Sequence, residues 1–81
     1  MKPEERIGKD LKILEENVKQ LDDVLLTDEQ KLVEDMAERY YEDTKYYLKI
    51  GDSLTSFACI AYAHGLLDSL RIMHNLIQDD V

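Results

Sequence analysis

Three polar side chains on one stretch of the chain, His64, Asp68 and Arg71, have types and spacing from which a site could be assembled. His64 and Asp68 stand at i and i+4, which are neighbouring positions on a helix surface. An imidazole and a carboxylate so placed could share a metal ion or work as an acid–base pair. A structural reading competes: a carboxylate on a largely apolar helix needs a hydrogen-bonding partner, and His64 or Arg71 supplies one. The structural reading is preferred. A di-iron helical bundle needs Glu-x-x-His on two helices, and the sequence contains none. No metal, no other cofactor and no catalytic residue is expected.

The tyrosines form the other conspicuous set. Tyr40-Tyr41 and Tyr46-Tyr47, with Tyr62, could make a stacking platform for a flat ligand. Against this, Tyr40 and Tyr47 lie seven residues apart and suit core positions with hydroxyls at the rim, with Tyr41 and Tyr46 flanking them. The acidic surroundings also oppose a phosphate-bearing ligand. Cys59 reads as a small core residue rather than a nucleophile. As the only cysteine, it excludes an internal disulfide and a cysteine-built zinc site.

The totals narrow the choice further. Eighty-one residues make one domain, 1–81, with a net charge of −8. Nucleic-acid binders need a positive footprint to displace counterions from phosphates, so no nucleic-acid partner is expected. The uncharged run from Ser53 to Leu67 is too short for a bilayer, which takes about 20 apolar residues, so no membrane partner is expected either. With no signal-peptide pattern at its start, the chain is expected to be cytoplasmic.

Three helices must position these residues. The first is predicted over about 3–25, opening with Pro3 and the acidic Glu4 and Glu5. Its apolar seam is Ile7, Leu11, Leu14, Val18, Leu21 and Leu25, spaced alternately by four and three. Thr27 and Gln30 form a capping-box pattern that starts the second helix, about 28–50. Its inward face is Val33, Met36, Ala37, Tyr40, Thr44, Tyr47 and Leu48. Ile50-Gly51-Asp52 then reads as last turn, left-handed stop and new N-cap. The third helix is predicted over about 53–78. Short connections make neighbouring helices antiparallel. The fold class is therefore all-α, an antiparallel up-down-up three-helix bundle.

The third helix has no clearly polar side: one face runs Leu54, Ala58, Ala61, Gly65, Asp68, Ile72 and Leu76, a second Phe57, Ile60, His64, Leu67, Arg71 and His74, and the third, Thr55, Cys59, Tyr62, Leu66, Ser69 and Met73, is hardly more polar. A helix apolar all round is normally surrounded, yet only two others are present to cover it. The expected uncovered strip is Cys59, Tyr62, Leu66 and Met73. Ala61 and Gly65 are expected to let another helix approach closely, and Asp68 beside them to be buried.

The segments YYEDTKYYLKIGD and SFACIAYAHGLLDSL resemble a small, mainly archaeal helical family, domain of unknown function 357. Asp43, Tyr46, Tyr47 and Gly51 carry the first part of the likeness. Phe57, Ala58, Tyr62, Ala63, Gly65, Leu67 and Asp68 carry the second, with Ser69 where members often have Ala. The resemblance implies a short all-helical protein with no established activity. The expected function is that of a non-catalytic module for self-association or protein interaction, pairing as a homodimer or with a partner through the third helix. The alternative is a small-ligand or nucleotide-associated domain using the Tyr-rich second helix with His64, Asp68 and Arg71.

Overall fold

The computed structural model describes residues 1–77. Three helices make up the bundle: α1, Pro3–Val18; α2, Asp28–Lys49; and α3, Ser53–Met73. A 3-10 turn, Lys19–Leu21, follows α1, and among the described residues there is no strand.

Helix α1 stops seven residues before the Leu25 that ends its predicted seam. Extending it would have placed Asp22 and Asp23 in the last turn, against the negative end of the helix dipole. The chain instead tightens into the 3-10 turn, where Asp22 N–H donates to Lys19 O at 3.2 Å, and then extends through Val24 to Leu26. Tightening and extension change which leucine faces inward. Leu25 is 92% exposed, and Leu26, at 9%, takes its place in the core.

The start of α2 follows the expected chemistry. Gln30 N–H donates to Thr27 Oγ1 and Thr27 N–H donates to Gln30 Oε1, both at 3.1 Å. At its end, Gly51 has φ +86°, which a residue with a Cβ adopts only with strain. Gly51 N–H then reaches Leu48 O at 3.2 Å and Asp52 N–H reaches Tyr47 O at 2.9 Å, the paired bonds of a Schellman stop. Asp52 caps α3 in turn, accepting from Thr55 N–H at 3.1 Å and from Thr55 Oγ1 at 2.7 Å. Those two bonds, hydroxyl first, hold the Asp52 carboxyl below its usual range.

Helix α3 also ends early, at Met73. Asn75 takes the left-handed conformation, φ 59°, and a second Schellman pair forms, with Leu76 N–H to Arg71 O at 2.8 Å and Asn75 N–H to Ile72 O at 3.0 Å. The short polar side chain of Asn tolerates this conformation better than most. The stop folds Leu76 back onto the core. The predicted end at 78 lies outside the described residues.

The core gathers Ile7, Leu11, Leu14, Leu21 and Leu26 with Ile60, Ala63, Leu67 and Leu70 of α3. Helix α3 packs closely on α2 and more lightly on α1, whereas the backbones of α1 and α2 stay apart. The closeness of α2 and α3 has a specific cause. Small residues repeat every seven positions on both, Ala37 and Thr44 on α2 facing Ser56 and Ala63 on α3, and all four are buried. Ser56 Oγ donates to Thr44 O across the seam and Thr44 Oγ1 donates to Tyr40 O, each at 2.7 Å. No buried side-chain nitrogen or oxygen among the described residues lacks a partner.

Candidate functional site

The polar trio of α3 does not converge on one point. His64 Nε2 donates to the Asp10 carbonyl of α1 at 2.8 Å, because a carbonyl oxygen can only accept. Arg71 Nη1 donates to Asp68 Oδ1 at 2.8 Å, and its Nε donates to Gln20 Oε1 at 2.9 Å. With Ser53 Oγ donating to Glu4 Oε1 at 3.1 Å, these bonds tie α1 along the length of α3. The pairs run in the same order on both helices, so α1 and α3 are parallel. His64 is thus engaged in holding α1, and Arg71 in holding the 3-10 turn that follows it. Asp68 is bonded as expected but not buried: its side chain is 42% exposed, whereas that of Arg71 is 11%.

The tyrosines separate into different surroundings. Tyr40 meets Tyr62 of α3, ring centroids 4.6 Å apart and tilted by 44°. Tyr46 and Tyr47 touch edge to face, centroids 5.1 Å apart. Tyr41 turns toward α1, donating its hydroxyl to the Glu15 carboxylate, while Lys45 Nζ lies 4.6 Å from its ring centroid. The hydrogen bond to Glu15, then burial, then the charges of Glu15 and Glu42, push the Tyr41 hydroxyl up to about 12. No shared platform results.

The uncovered side of α3 is real but turned from the predicted one. Cys59 is buried beside α2, and its thiol is pushed up by burial and by the charges of Asp43 and Asp52. Leu66 is half-buried, while Tyr62 and Met73 are exposed. The centre of the bare face is instead Leu54, 84% exposed, with Ala58, Ala61, Gly65 and Ile72, flanked by Phe57. No atom lies within 4 Å of where a Cβ on Gly65 would sit. Close approach within the chain thus uses Ser56 and Ala63, not Ala61 and Gly65. The sequence offered a signal for this in the matching seven-residue spacing of Ala37 and Thr44.

A concave feature lies away from that bare face. Between α1 and α2 runs a groove of about 300 Å³, floored by Leu14, Val18, Ala37 and Leu67. Glu15, Glu34 and Glu38 stand along it, with Lys19 and Tyr41. Burial, then the charges of Asp35, Glu38 and Asp22, push the Glu34 carboxyl up. Sequence reasoning did not single out these residues, since each reads as ordinary seam or surface until the gap between the two helices is known. Among the described residues, no three His, Cys, Asp or Glu side chains cluster closely enough to hold a metal ion. No described helix is long and apolar enough to cross a membrane.

No curated protein matches the chain. The family described as "Protein of unknown function (DUF357)" matches residues 9–76, which adds most of α1 to the stretch carrying the sequence resemblance, and the chain belongs to that family.

Proposed function

We propose that this chain is a non-catalytic interaction module that pairs with a second copy of itself through the outward face of α3. The supporting observation is the unpartnered apolar strip of Leu54, Ala58, Ala61, Gly65 and Ile72, flanked by Phe57 and Tyr62. Soluble proteins usually hide or use such a strip. Charge favours a second copy meeting there. Residues 1–50 hold 14 of the 18 acidic and 9 of the 10 basic residues, a net of −5. From Ser53 to Met73 the only charges are Asp68 and Arg71, which pair with each other. Two acidic chains can therefore meet at α3 without opposing their like charges, and two-fold pairing is the commonest closed arrangement. The strip from Leu54 to Ile72 is roughly 30 Å long and about 10–12 Å wide, smaller than the usual patch of about 800 Å² per partner, so a weak, concentration-dependent pair is expected.

Light scattering across micromolar concentrations tests this. The mass is expected to climb from 9.5 kDa toward about twice that value. Ala61→Glu places a charge at the centre of the strip and is expected to hold the mass at 9.5 kDa with unchanged helical circular dichroism. A wild-type mass that never rises, or an Ala61→Glu variant that pairs as well as wild type, refutes the reading.

A further inference from the structure

The groove between α1 and α2 follows from how the two helices are joined. A tight turn at Ile50-Gly51-Asp52 brings α2 directly onto α3, whereas the longer link after α1, a 3-10 turn and an extended run, leaves α1 and α2 apart. Small Ala37 gives the gap its depth, and Leu67 of α3 closes its floor. Val18 belongs to the apolar seam of α1 but faces α2 only across the gap and stays 38% exposed.

The rim carries three carboxylates, Glu15, Glu34 and Glu38, against a single base, Lys19. Among the described residues the ion pairs are Arg6–Asp10, Glu42–Lys45 and Asp68–Arg71. None involves Glu34 or Glu38, which lie one turn apart on the groove side of α2 with Asp35 and Asp22 near Glu34. The raised Glu34 carboxyl agrees with partial burial among like charges. Away from Glu34, the Tyr41–Glu15 hydrogen bond bridges α2 and α1 beside the groove. Glu34 to Tyr41 covers about two turns of helix, roughly 10 Å, too short a seat for another helix but suited to a small molecule.

We propose that this groove binds a small amphiphilic organic cation, whose apolar body lies on Leu14, Val18, Ala37 and Leu67 and whose ammonium group meets Glu34 and Glu38. The apolar floor and the acidic rim each select one half of such a ligand. A neutral isostere would leave the carboxylates as they are, and an anion would be repelled. The site is separate from the bare face of α3, so it stands or falls independently of self-association.

The test is an NMR titration of the full chain, following the methyl groups of Leu14, Val18, Ala37 and Leu67. The probes are n-hexylammonium, its neutral analogue 1-hexanol, and hexanoate. n-Hexylammonium is expected to shift these methyls to saturation, with 1-hexanol markedly weaker and hexanoate inert. The variant carrying Glu34→Gln and Glu38→Gln together, both on the groove side of α2, is expected to weaken n-hexylammonium binding roughly tenfold while its spectrum stays folded. Equal binding of hexylammonium and hexanol, or an unchanged affinity in the double variant, overturns the assignment. So does an absence of saturable shifts. A Lys-rich amphipathic peptide that shifts these methyls when n-hexylammonium does not would overturn it in favour of a protein ligand.

Discussion

Replacing Gly65 by alanine asks whether the outward face of α3 is open in the single chain. Gly65 sits in the interior of a 21-residue helix, its φ is not in the left-handed region, and nothing lies within 4 Å of a Cβ built there. The new methyl group meets no obstacle, so the backbone effect stands alone. Glycine in a helix interior is less favourable than alanine by about 0.8–1.0 kcal/mol, and Gly65→Ala should therefore stabilise the chain by about that amount. For a domain of this size, 1 kcal/mol moves the melting temperature by about 4–8 °C, so a rise of roughly 3–8 °C is expected. The assay is thermal unfolding followed by circular dichroism, at a concentration low enough for light scattering to report the monomer. The same substitution should weaken pairing at higher concentration if the second copy approaches closely at Gly65. A fall in melting temperature in the dilute monomer would mean that the space beside Gly65 is filled, and the assignment of faces on α3 would fail.

Three further substitution experiments probe the packing. Ala63→Leu should overfill the α2–α3 seam and cost about 1–3 kcal/mol in urea unfolding, whereas Ala61→Leu, two positions away on the bare face, should lie within about 0.5 kcal/mol of wild type; equal costs would contradict the face assignment. Leu26→Ala should cost about 2–3 kcal/mol and Leu25→Ala within about 0.5 kcal/mol of nothing, and the reverse order in the same assay would restore the longer α1. Absorbance at 295 nm should show Tyr41 ionising only near pH 12, and Glu15→Gln should bring that step down. Because its folded value is raised, the stability linked to the Tyr41 proton is fully present below the ordinary tyrosine value near 10 and is lost as pH rises through about 12. A titration unaltered by Glu15→Gln would refute the bond.

Local chemistry made much of this fold legible. Thr27 and Gln30 announced the start of α2, and Gly51 and Asp52 its end and the start of α3, because caps and stops need few residues and no knowledge of the rest. Where two physical signals disagreed, the helical period misled. The seam of α1 runs on through Leu21 to Leu25, but Asp22 and Asp23 oppose a helix there, and the electrostatic signal is the one the structure follows. Asn75 carried a similar warning about the end of α3. The facing of α3 was not legible from its own residues, since a helix apolar on every side has no preferred orientation. It is set by the small side chains of α2, which make one face of α3 fit more closely than the others. The groove lay further still from view, because it is a gap left between two helices rather than a property of either.

The separation of α1 from α2 has a consequence for how the chain opens. Helices α2 and α3 are joined by a bonded turn, sealed along a seam of small residues and clasped at the far end, where His74 Nε2 donates to Gln30 Oε1 at 3.1 Å. Helix α1 rests on α3 through one apolar seam and a few side-chain bonds, and across the groove it meets α2 through the Tyr41–Glu15 hydrogen bond. The chain is thus built in two grades of rigidity, a hairpin and a detachable strut. Amide protons of α1 should exchange with solvent before those at the centre of α2 and α3, through fluctuations that lift the strut while the hairpin stays closed. Hydrogen exchange that proceeds at one uniform rate across all three helices would show that α1 is as firmly held as the rest.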